Sequence, residues 1–189
     1  MNAPISPGLL RRATSPFTLD CDSSYRRWRE AKLAVAATRA DQLLVHVGNP
    51  AAISEDERDA LLARLSAHDM ALYQLPEGCK DKALVQQLGA QLGITQLDAN
   101  WLADEDGVSN ITVARTATPG APRADFIPYT DRAIRWHTDG YYHPAARRIC
   151  GMVLHCVRPA ARGGVNALLD PELATVDLEV FSKAKVAGL

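Results

Sequence analysis

Two side chains carry the clearest chemistry in this chain, His137 and Asp139, inside the run FIPYTDRAIRWHTDGYYHP at residues 126–144. In an extended segment successive side chains point to opposite sides, so this imidazole and this carboxylate share one face and Thr138 takes the other. Both groups are ligands for a divalent transition metal. Together they are two thirds of the 2-His-1-carboxylate facial set, whose open positions suit non-haem Fe(II). A His-x-Asp pair also arises by chance and marks surface turns, so the reading depends on its surroundings.

Those surroundings are specific. After an apolar run at 149–157 comes PAARGGVNALLD at 159–170, a Gly163-Gly164 pair followed by a short apolar stretch ending in Asp170. The order WHTDG, apolar strand, P-x-x-x-G-G, apolar strand, Asp resembles the taurine dioxygenase (TauD/TfdA) family of Fe(II)- and 2-oxoglutarate-dependent oxygenases. The resemblance spans about residues 43–173, its most specific part at 127–170. It implies an α+β chain whose N-terminal helices and strands lead into an incomplete double-stranded β-helix, a jelly roll of the clavaminate synthase-like type. It further implies an oxidoreductase that hydroxylates a small-molecule substrate with O2 while 2-oxoglutarate is decarboxylated to succinate.

By the same resemblance His137 and Asp139 are the Fe(II) ligands, and therefore the catalytic residues. Trp136 walls the metal strand and Gly140 lets the chain turn beside the ion. Tyr129, Tyr141 and Tyr142 stand towards the substrate opening or pack at the barrel rim. The family binds one carboxylate of 2-oxoglutarate through a hydroxyl residue shortly after the Gly-Gly pair. The matching position here is Asn166, whose amide can donate to a carboxylate or hold the turn.

Two family elements have no counterpart in the sequence. The family completes its metal set with a distal histidine and pairs 2-oxoglutarate with a later arginine. This chain has no histidine after His155 and no arginine after Arg162. The expectation is a domain at 19–189 truncated at its C-terminus, behind an irregular leader at 1–18. Two other histidines could serve as ligands. His143 lies four residues from Asp139 but precedes Pro144, which favours an extended geometry directed away, the arrangement of a lid or rim residue. His155 sits on the following apolar run and reads as a satisfied core histidine. Arg158 and Arg162 flank the Gly-Gly turn, where arginines are usually solvated. A zinc hydrolase using His137, Asp139 and His143 lacks a general base at a convincing spacing. The competing reading is a catalytically inactive half-domain that binds metal or self-associates through unpaired strand edges.

The elements that must position these residues follow from pattern. Residues 23–39 read as a helix with Tyr25, Trp28, Leu33 and Val35 on it, and 43–48 as a short apolar strand in which His46 is a packed residue. Ser54 and Glu57 form a capping box opening a helix with Leu61, Leu62 and Leu65 as one apolar stripe. A strand is expected at 70–75. A second amphipathic helix at 82–92 carries Leu84, Val85, Leu88 and Leu92 inward, with Gly93 as its C-cap. Residues 108–116, 149–157 and 165–169 read as strands of an all-β section.

Length and composition bound the rest. At 189 residues the chain suits one domain with a real core. A formal net charge of −1 argues against nucleic acid or an anionic membrane as partner. No apolar run approaches the roughly 20 residues that span a bilayer, and the N-terminus lacks the apolar segment of a signal peptide. Cys21, Cys79, Cys150 and Cys156 show neither C-x-x-C pairing nor zinc spacing, which points to reduced thiols in a cytoplasmic protein. The partner expected is a small molecule, with a homo-oligomer allowed.

Overall fold

Helix α1 (Asp22–Val35) begins with Asp22 in its first turn, where a carboxylate suits the helix dipole, and Asp22 accepts from Arg26 at 2.7 Å one turn on. Tyr25 and Trp28 pack ring to ring at 5.8 Å. The helix stops four residues before the predicted end. The amides of Thr38 and Arg39 donate to the side-chain oxygen of Gln42 at 2.8 and 3.0 Å, and this local turn takes over from the helical ladder. This is the computed structural model's account of residues 15–16, 21–97, 106–113, 126–140 and 142–170, the residues the structure describes. The expected leader at 1–18 lies almost entirely outside them, as does the tail beyond Asp170.

The chain divides into two units, the first comprising Met1–His46, Asp59–Gln74 and Ala160–Leu189, and the second Val47–Arg58 and Leu75–Pro159. In the first unit, β1 (Leu44–His46) pairs in parallel with β2 (Leu72–Gln74), Leu44 opposite Leu72 and His46 opposite Gln74. A parallel pair needs a long crossover, and α2 (Glu55–His68) supplies it. Leu43 and Val45 are buried and His46 is exposed. The two-residue alternation thus turns His46 outward, against the expectation of a packed histidine.

On α2, Leu61 is buried and Leu65 half-buried, but Leu62 is exposed. Leu61 and Leu65 lie one turn apart, whereas Leu62 is rotated by about 100° from Leu61 and leaves the stripe. Asp69, at φ 58°, ends the helix in the left-handed region, its amide bonded to the Leu65 carbonyl at 3.0 Å, and sends the chain into β2. Tyr73 on β2 is half-buried, and that desolvation pushes its phenol up to about 12.

In the second unit the capping box forms as predicted. The Ser54 amide donates to Glu57 Oε2 at 2.8 Å and the Glu57 amide to Ser54 Oγ at 3.2 Å. Glu57 also accepts from the Gly48 amide at 2.7 Å, a bond that the S-x-x-E pattern does not contain. The Gly48 and Ser54 amides hold its carboxyl below the usual carboxylate range. Helix α3 (Lys82–Gln91) is capped by Asp81, which accepts from the Ala83 amide at 2.9 Å. It closes on a Schellman motif: Ile94 N–H to the Gly89 carbonyl at 2.9 Å, Gly93 N–H to the Ala90 carbonyl at 3.0 Å, with Gly93 at φ +90°. Leu88 is fully buried, while Leu84, Val85 and Leu92 are half-buried.

The stretches predicted as β-helix strands behave differently. Residues 149–157 and the described part of 108–116 carry no strand ladder in the second unit, and 165–169 carries none in the first. Met152, Leu154 and Val157 are exposed along their run. Strand propensity was legible there, but a ladder also requires a neighbouring strand. Among the described residues the architecture is mixed helix and strand with one two-stranded parallel sheet, and no helix is long and apolar enough to cross a membrane.

Candidate metal centre

Residues 137–140 are not a strand, yet His137 and Asp139 still meet. The chain turns at Asp139-Gly140, with Gly140 at φ +67°. His137 Nε2 then lies 3.4 Å from Asp139 Oδ1. The other ring nitrogen, Nδ1, is 2.7 Å from the Arg135 carbonyl. A carbonyl only accepts, so Nδ1 donates to it and Nε2 is the ring nitrogen on the carboxylate side. That is the orientation a metal-binding histidine takes from its outer-shell partner. Sequence reasoning missed this contact, because the acceptor is main chain and no residue type signals it.

The donor spacing permits a common ion. Metal–ligand bonds of about 2.1 Å set two donors about 3.0 Å apart at a right angle and about 3.4 Å apart at a tetrahedral one. His137 and Asp139 therefore fit two positions of a transition-metal ion with almost no movement. Both side chains are nearly half exposed, so the pair is open to solvent. Among the described residues no third His, Cys, Asp or Glu joins them as a cluster.

Gly140 is needed in two ways. Its backbone is left-handed, and a Cβ there would stand 2.6 Å from Ile149 Cδ1. This matches the turn role expected for it. His143 N–H closes the same turn on the Gly140 carbonyl at 2.8 Å, and His143 Nδ1 donates to the Arg147 carbonyl at 3.1 Å. His155 is half-buried, with Nε2 donating to the Cys79 carbonyl at 3.2 Å, the arrangement of a satisfied packed histidine.

The aromatic residues part company. Tyr129 is buried in a short 3₁₀ turn, Ile127–Tyr129. Tyr142 is exposed, its ring 4.7 Å from that of His143. Trp136 is exposed as well. Tyr141 lies outside the described residues. Asn166 belongs to the first unit, where its amide donates to the Gly164 carbonyl at 3.3 Å beneath two successive left-handed glycines. That bond is the turn-holding alternative. Arg158 and Arg162 are exposed, and all four cysteines are free thiols.

Comparison with known proteins adds no relative. No protein-family model, curated protein or solved structure matches this chain. The geometry of the His137–Asp139 pair is thus the main structural support for a chemical reading. One charged cluster escaped the sequence altogether: in the first unit Lys32, on α1, is buried against Asp170, at the end of the Gly-Gly stretch. Lysine in an amphipathic helix reads as solvent-facing, and nothing local marks this one as different.

Proposed function

We propose that this chain is part of a TauD/TfdA-like oxygenase, a cytoplasmic oxidoreductase that couples hydroxylation of a small molecule to decarboxylation of 2-oxoglutarate. The observation that carries the reading is His137, its Nδ1 proton held by the Arg135 carbonyl and its Nε2 set 3.4 Å from Asp139 Oδ1. An imidazole nitrogen and a carboxylate are donor types of the Fe(II) facial set, whose right-angle geometry needs this pair to close from 3.4 Å to about 3.0 Å. When bound, the iron supplies the chelation of 2-oxoglutarate and the activation of O2. The chain's own contribution is orientation: the Arg135 carbonyl fixes the ring, and the turn at Gly140 brings the carboxylate alongside. Asn166 is proposed as a 2-oxoglutarate contact: its amide carries two N–H donors, and the Gly164 carbonyl accepts from one of them.

The test is anaerobic titration of the purified chain with Fe(II) in the presence of 2-oxoglutarate, followed by the visible charge-transfer band of the chelate. A saturable band that disappears in both His137→Ala and Asp139→Ala is the expected result. A band absent from the wild-type chain, or unaffected by either substitution, overturns the reading.

A second reading, a non-catalytic protein that binds metal or associates with its own copies, is favoured by one observation. Ile149, Met152, Leu154 and Val157 are exposed within one short run that forms no strand among the described residues.

A further inference from the structure

The first unit holds a buried charged cluster around Lys32. Lys32 Nζ lies 3.0 Å from Asp170 Oδ2, 3.2 Å from Asp69 Oδ2 and 3.3 Å from the Ala67 carbonyl. The Lys32 and Asp170 side chains are 8% and 7% exposed, whereas that of Asp69 is 44% exposed. Along the Gly-Gly stretch, residues 161–168 are all exposed, Leu169 is half-buried and Asp170 is buried. Burial along this segment is thus concentrated at its last two described positions.

The three contacts are unequal in a way that matters. An ion pair out of water is costly to break when one charge is left buried alone. Here the ammonium that loses Asp170 still holds Asp69 and the Ala67 carbonyl, and Asp69 is already in contact with water. Withdrawal of Asp170 from Lys32 therefore still leaves Lys32 partnered. Such a pair opens at lower cost than an isolated buried one.

We propose that Lys32 and Asp170 form a reversible latch that fastens the segment ending at Asp170 to α1, with Asp69 as the partner that keeps Lys32 satisfied when the latch is open. The latch does not depend on the oxygenase reading. Should that reading hold, the latch also sets where Asn166 stands.

The experiment is amine acylation of the full chain with a water-soluble acetylating ester, read peptide by peptide by mass spectrometry. Exposed Lys80 serves as internal reference. In the wild-type chain Lys32 is expected to react roughly tenfold or more slowly than Lys80, as a partly closed buried pair implies. Asp170→Asn should bring Lys32 close to the Lys80 rate. Asp69→Asn should leave Lys32 protected, because Asp170 still covers it. Amide exchange at Val45 and Tyr73 in the β1–β2 pair reports whether the unit stays folded. Lys32 as reactive as Lys80 in the wild-type chain, no change in Asp170→Asn, or loss of the β1–β2 protection together with that of Lys32 would each overturn the latch. The last outcome would make the pair an ordinary part of the core.

Discussion

At the scale of single residues, Gly140 decides whether the candidate centre can form. Its φ of +67° is a region where a side chain costs about 1–2 kcal/mol, and Ile149 Cδ1 at 2.6 Å from a Cβ adds an overlap that Ile149 must move to relieve. Gly163 has a similar φ of +70° but open space around it. The pair separates strain from contact. Gly163→Ala is expected to destabilise by roughly 1 kcal/mol and Gly140→Ala by roughly 2–3 kcal/mol, measured by chemical denaturation. Only Gly140→Ala should also weaken Co(II) binding followed through its d–d bands, because it alone moves the turn that carries Asp139. Equal losses for the two substitutions would mean that Ile149 yields freely and that contact contributes nothing.

At the scale of elements, the start of α2 hangs on one carboxylate with two backbone donors. Glu57 has its pKa lowered, first by the Gly48 amide and then by the Ser54 amide. A depressed carboxylate stabilises the fold above its unfolded pKa and loses that contribution as pH falls through the folded value. Helix content should therefore fall as the pH drops below 4.5, the ordinary glutamate value, in the wild-type chain and fall less steeply in Glu57→Gln, measured by far-ultraviolet circular dichroism against pH. This element also shows what sequence can convey. Ser54 and Glu57 are three apart and locally sufficient, so the box was legible; the Gly48 bond, nine residues away, was not. The C-terminal end of α3 was legible for the same reason, through Gly93, whereas the Asp81 cap at its start emerged only with the structure. The pairing of His137 with Asp139 was anticipated, but through strand alternation, whereas the structure achieves it with a turn at Gly140. Residues 149–157 and 165–169 carry the composition of strands, but strand pairing is a property of neighbours that composition does not supply. Lys32 was illegible because its burial depends on Asp170, far along the chain.

At the scale of the whole molecule, exposed apolar side chains predict association. Ile149, Met152, Leu154 and Val157 lie exposed within nine residues of sequence, and Ile134, Trp136 and Tyr142 are exposed in the same unit. Scattered apolar residues on a surface are ordinary, but several strand-forming residues exposed within one short run offer apolar area to another copy. Each fully buried side chain of this size contributes about 1.5–3 kcal/mol, so a few of them offset much of the entropy lost on association. Sedimentation equilibrium across a hundredfold range of concentration, chosen around the micromolar region that such a modest apolar contact supports, should show the apparent mass rising. Met152→Lys with Leu154→Lys should return it to that of the 20.5 kDa monomer. If association is driven instead by a shared ion at His137 and Asp139, the mass falls on adding a chelator and the lysine pair has no effect. A wild-type chain that stays monomeric over the whole range would show that these side chains are simply solvated, and would remove the ground for the self-associating reading.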